Sequence, residues 1–149
     1  MPEDLAAIKA TARRTWEDIF PACDVDALAG VVAPEAILHG ARPGEPPGLE
    51  GVKRTMLWLG QVFSDQHWDV HRVVGEDDMV VVHCTHRARH TGELMGIAPT
   101  NREVAYDYVH ILRFRDGRAI EHWSVRDDMT LMRQLGVIPE RLAPATAAT

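Results

Sequence analysis

Cysteine is scarce: Cys23 and Cys84 are the only two in 149 residues. Two thiols define no disulfide framework, so the expected setting is reducing and cytoplasmic. Basic charge is short as well, with 16 Lys and Arg against 22 Asp and Glu and a net charge of −6. That balance excludes nucleic acid as a partner, because neutralising phosphates takes clustered Lys and Arg. No stretch reaches the roughly 18 apolar residues of a membrane span. The opening MPEDLAAIKA is acidic and amphipathic, unlike a secretory signal. Internal repeats and a dividing linker are also missing. With 46% hydrophobic and 26% charged residues, the chain is of ordinary globular composition, expected to form one domain over residues 1–139 and a flexible tail over 140–149. What is plentiful is histidine, with eight copies.

Apolar residues recur with helical spacing at Leu5, Ile8, Ala12, Trp16 and Ile19, and Pro21 ends that helix. DVDALAGVV predicts a second, short helix with Asp24 as its N-cap. EAILHGA reads as a strand, and RPGEPPGLEG, rich in Pro and Gly, as a loop. Val52, Met56, Leu59 and Phe63 share one face of a third helix. After Asp65 the period changes to two. HWDVHRVV, MVVVHCTHRARH, REVAYDYVHILRF and RAIEHWSV are extended runs separated by turn residues, and DMTLMRQLG predicts a closing helical turn or two. Helices followed by a long antiparallel sheet predict an α+β fold.

HCTHRARH invites a metal reading, but strand alternation turns His83 away from Cys84, His86 and His90. His86 and His90 stand four residues, or roughly 13 Å, apart, too far for one ion. No metal site is therefore expected. In VAYDYVHILRF the alternation puts Val104, Tyr106, Tyr108, His110, Leu112 and Phe114 on one face. Phenols and an imidazole on an apolar wall are the polar groups a ligand cavity needs, although tyrosines reaching solvent at a sheet end would show the same pattern. RAIEHWSVRDD similarly places Ile120, His122, Ser124 and, if the strand runs that far, Arg126 together, with Glu121, Trp123 and Val125 opposite. His122 suits general acid–base work, since the ordinary pKa of histidine is closest to neutral. Asp127 could orient that imidazole or cap the last helix. Ser124 sits mid-strand with no nucleophile elbow around it, which argues against a serine nucleophile.

GLEGVKRTM, HTGELMGIAPTNREV, ILRFRDGRAIEHW and the closing RQLG follow one another in this order. Together they resemble the SnoaL-like polyketide cyclases of the nuclear-transport-factor-2-like superfamily, over roughly Glu3 to Ile138. The resemblance implies a cone-shaped barrel in which a curved, mostly antiparallel sheet is wrapped by three helices from the N-terminal half around an apolar pocket. It also implies a homodimer or homotetramer assembled through the sheet. Family members close rings in aromatic polyketide intermediates without a cofactor, using one Asp as acid and base. At that position this sequence has Ser124; the preceding His is kept as His122, a pocket His is kept as His110, and a neighbouring Gln is Tyr108.

The function so implied is a cofactor-free cyclase or isomerase acting on a hydrophobic polyketide-type intermediate by ring closure, isomerisation or epoxide opening. The alternatives are a cofactor-independent hydroxylase of an aromatic polyketide and a binding protein without catalysis. Candidate catalytic groups are His122, His110, Asp127 and Tyr108. Candidate cavity residues are Ser124, Tyr106, Trp16, Trp58, Phe63, Leu112, Phe114 and His39.

Overall fold

In the computed structural model, which describes residues 2–141, a run of helices is laid across one face of a curved five-stranded sheet. The residues expected in the tail beyond 141 lie outside the described part. Helix α1 spans Leu5–Arg14; Asp4 caps it by accepting from the Ala7 amide at 3.1 Å. Its buried residues, Ile8 and Ala12, are among those the helical spacing selects. The helix does not run evenly to Phe20, as its spacing predicts. A π-helical turn, Thr15–Ile19, replaces the last α-turn, with the Phe20 amide donating to the Thr15 carbonyl. The wider turn seats Trp16 and Ile19 in the core. A 3-10 turn at Asp26–Gly30 leads into β1, Val32–Leu38, and α2 covers Gly48–Val62.

Four long strands follow: β2 (Phe63–Glu76), β3 (Met79–His90), β4 (Glu103–Arg115) and β5 (Arg118–Arg126). Helix α3, Asp128–Gln134, closes the described chain. The sheet order is β1-β5-β4-β3-β2. It remains open, with β2 and β1 as its edges. All pairs are antiparallel except β1 with β5, because β1 returns to the sheet before α2 and enters alongside the last strand.

Strict alternation of burial along β3 and most of β4 carries the inward faces predicted from period two. One detail differs. On β5 the pairing slips between Arg113↔Glu121 and Phe114↔Ala119, leaving Ile120 as the extra residue of a bulge. Ala119, not Ile120, therefore continues the inner face of His122 and Ser124. No helix among the described residues is long and apolar enough to cross a membrane.

Candidate active site

A cavity of about 120 Å³ opens between the helices and the β1–β5–β4 end of the sheet. Its apolar wall includes Trp16, Trp58, Leu112 and Phe114, and its polar groups include Tyr108, His122 and Ser124. These seven come from two helical segments and two strands. The alternation of β4 and β5 aims their side chains into one space.

His122 and His110 form the chemical centre. Leu112 pairs with His122 and His110 with Ser124, so the two imidazoles are diagonal neighbours across β4 and β5. His110 Nδ1 and His122 Nε2 are 3.0 Å apart and share one hydrogen. His110 is 3% exposed and lies between rings, with the Trp16 centroid at 3.8 Å and that of Tyr108 at 4.6 Å, both nearly parallel. Its Nε2 is buried without a hydrogen-bond partner among the described residues. His110 therefore does not line the cavity itself; it backs His122. The other nitrogen of His122, Nδ1, makes no hydrogen bond with the described residues and is not sealed off, so it is open to the cavity.

Burial, then repulsion from His39, holds His122 at about 4. Burial, then His122 and His86, pushes His110 well below the ordinary value. Both rings are thus neutral near pH 7, and an uncharged imidazole with a free nitrogen is a competent proton acceptor. Tyr108 turns its hydroxyl to the rim, where Arg126 Nη1 donates to it at 3.4 Å. Arg126 is steadied by Asp128, which accepts from its Nε at 2.7 Å. The Ser124 hydroxyl has no hydrogen-bond partner among the described residues, and Gly40 faces it closely enough that a Cβ there would lie 3.3 Å from Oγ.

Four candidates stand elsewhere. Tyr106 is buried, and its hydroxyl donates to His86 Nδ1 at 2.8 Å while His86 Nε2 donates to Gln66 Oε1 at 2.9 Å. Burial keeps His86 uncharged, at about 3. Phe63 packs edge-on against the same His86, with centroids 5.1 Å apart. His39 lies on the outer side of the sheet, stacked 4.7 Å from Trp123 and hydrogen-bonded to Glu121 at 2.9 Å. Asp127 is the N-cap of α3, accepting from the Thr130 amide at 3.0 Å and the Thr130 hydroxyl at 2.6 Å. It touches neither imidazole, so the orienting partner of His122 is His110. Asp127→Ala should lower stability modestly, as the loss of a helix cap does, and leave turnover unchanged. A large fall in kcat without unfolding would reinstate Asp127 in the chemistry.

Sequence reasoning overlooks Arg42 and Glu45, which also line the cavity, whereas the alternation along β5 extends to Arg126, which lines it too. Arg42 and Glu45 sit in a stretch legible only as a loop, and no local pattern marks them.

The profile of the SnoaL-like polyketide cyclases matches residues 10–135. Aklanonic acid methyl ester cyclase AcmA of Streptomyces galilaeus is 27% identical over 140 residues, 91% of this chain and 92% of that protein. The structure of IdmH from Streptomyces antibioticus, provisionally assigned as a polyketide cyclase, is 30% identical with a TM-score of 0.75, covering 87% of this chain and 98% of IdmH. AclR of Streptomyces galilaeus, provisionally assigned as a hydroxylase, is 27% identical with a TM-score of 0.79, covering 95% of this chain and 87% of AclR.

Proposed function

Because the chain belongs to the SnoaL-like polyketide cyclase family and is a cyclase-type enzyme, we propose that it closes a ring in a polyketide-type intermediate by cofactor-free acid–base catalysis at His122. The observation that carries this reading is a neutral imidazole whose inner nitrogen is tied to His110 and whose outer nitrogen is open to an apolar cavity.

In the productive tautomer His122 Nε2–H donates to His110 Nδ1, leaving a lone pair on His122 Nδ1. That nitrogen takes the acidic proton beside a substrate carbonyl, and the C–H electron pair becomes an enolate. The enolate carbon forms a bond to a second carbonyl carbon, whose oxygen gains the charge. The His122 imidazolium then returns its proton to that oxygen, and acid and base are regenerated together. Tyr108 donates to the oxygen that gains charge, its own oxygen held by the Arg126 guanidinium. Donors so placed contribute a few kcal/mol to a transition state, and a positioned base adds about 10²- to 10⁴-fold.

Ser124 stands, on this reading, where the family carries a carboxylate. Ser124→Asp should add a second base beside Gly40 and raise turnover of a family-type substrate several-fold. Unchanged kcat in a folded variant would show that His122 alone sets the proton transfer. The two unpaired cysteines support action in the cytoplasm, and the exposed Ile37, Val74 and Val125 support assembly through the sheet.

The test is incubation with aklanonic acid methyl ester, the substrate named for AcmA, followed by exact-mass and NMR analysis. An isomeric, cyclised product is expected. A product heavier by one oxygen atom would favour the hydroxylase reading that AclR supports, with His122 forming the substrate anion. Binding without any product would favour a non-catalytic role.

A further inference from the structure

The loop between β1 and α2 brings a guanidinium to the cavity wall in a fixed orientation. Glu45 Oε1 accepts from Arg42 Nε at 2.8 Å and also from Arg42 Nη2, and Oε2 accepts from the Arg42 amide at 3.0 Å. Thr55 of α2 donates to the same carboxylate at 3.1 Å, tying the loop to the helix. The guanidinium carbon lies 3.9 Å from the centroid of the Trp58 ring. The Glu45 side chain is only 8% exposed and that of Arg42 33%. Burial works against the Glu45 charge, but the Arg42 hydrogen bonds and charge outweigh it and keep the carboxyl below its usual range.

The backbone beneath is equally constrained. Gly48 has φ +68°, and a Cβ there would lie 2.0 Å from the Pro34 carbonyl oxygen. At Gly51 a Cβ would lie 2.2 Å from the Pro46 carbonyl oxygen. Pro43, Pro46 and Pro47 stiffen the same turn.

An ion pair set into an apolar wall adds little to stability, because desolvation offsets the attraction. Here the pair leaves the Nη1 amino group of Arg42, a residue of the cavity wall, without a hydrogen-bond partner among the described residues. The second cavity guanidinium, Arg126, is already engaged by Asp128 and Tyr108. Glu121 is engaged by His39 and Arg113. Arg42 thus retains a donor group with no assigned protein acceptor.

We propose that Arg42 is a substrate anchor that binds a carbonyl-type oxygen, of a ketone, ester or carboxylate, on a planar ring stacked near Trp58, with Glu45 and Thr55 as its positioning residues. This rests on the reading of the cavity as the substrate site. The guanidinium–Glu45 pair has no net charge, so recognition is by directed N–H donation to oxygen and not by bulk attraction of anions. The anchor sets which end of the substrate sits at the mouth and which carbonyl reaches His122.

The experiment is calorimetric titration of the whole protein with three bicyclic probes: 2-acetylnaphthalene, 2-naphthoate and 2-ethylnaphthalene. The acetyl and ethyl compounds are close in size and differ in the oxygen acceptor. Wild-type protein should bind 2-acetylnaphthalene about ten-fold more tightly than 2-ethylnaphthalene, the scale of one good hydrogen bond from a charged donor. The charge-balanced double variant Arg42→Leu/Glu45→Gln should bring the two within about two-fold while leaving 2-ethylnaphthalene affinity unchanged. Glu45→Gln alone, which loosens but keeps the guanidinium, should retain an intermediate preference. A merely structural role would lower both affinities together and leave their ratio intact, which would overturn the anchor. Binding of all probes without preference in the wild type would overturn it too, with the cavity reading still standing. Failure of every probe to bind would overturn both. With the preference present, tighter binding of 2-naphthoate than of 2-acetylnaphthalene identifies an acid as the natural group, and the reverse identifies a ketone or ester.

Discussion

His122→Gln should lower kcat about 10²- to 10⁴-fold, the range lost with a positioned general base, and leave substrate affinity within a few-fold. Gln keeps a donor for His110 Nδ1 but offers no group that can accept a proton. The loss should therefore fall on kcat and not on KM, as for an interaction made only in the transition state. His110→Phe preserves the stack on Trp16 and Tyr108 and removes the hydrogen bond to His122. Its effect should be smaller, since the base remains but its tautomer is no longer held. Steady-state kinetics on both variants, with melting temperatures as a folding control, checks the assignment. If His122→Gln retained most of the wild-type kcat, the proton would have to move by another route.

Stability should fall steeply between pH 6.5 and 5. His86 and His110 are buried, and burial holds His86 at about 3 and His110 well below its ordinary value of 6.5. In the unfolded chain both rings bind protons near 6.5, so over this window the unfolded state holds more protons than the native one. Stability then rises with pH: the contribution is fully present above 6.5 and is lost as pH falls toward the native values. A ring held near 3, as His86 is, contributes up to roughly 1.4 kcal/mol per pH unit below 6.5, or about 2 kcal/mol by pH 5, and His110 acts in the same direction. That is a sizeable share of the 5–15 kcal/mol that typically holds a domain together. Urea unfolding at pH 7 and pH 5 measures it directly. A change under about 1 kcal/mol would mean that these rings are hydrated or already charged in the native protein.

The inward face of β4 was legible from the chain alone. Tyr106, Tyr108, His110, Leu112 and Phe114 point inward because side chains alternate along any extended backbone, a property of two neighbouring residues. The same locality makes α1 readable from the spacing of Ile8 and Ala12. It also separates His83 from Cys84, His86 and His90, and the burial along β3 follows that alternation. The residues quoted for the family resemblance likewise lie in one continuous order.

Which inward-facing groups reach the cavity was a matter of tertiary structure. Tyr106 and Tyr108 are two residues apart on one face, yet Tyr106 is packed around His86 and Tyr108 stands at the rim. The difference arises from where the helices cover the curved sheet, and Trp16 reaches His110 from the π-turn that ends the first helix. The His110–His122 hydrogen bond depends on the register of β4 with β5, which a bulge at Ile120 sets from a distance. Asp127 had two local roles open to it, and the start of α3 took it as a cap. Arg42 and Glu45 needed a Pro-rich loop to fold back onto Thr55 and Trp58 before they became part of a wall. Alternation and helical period act between neighbours and can be read along the chain. Register, curvature and loop closure join residues far apart in sequence, so the site emerges only when the chain has packed.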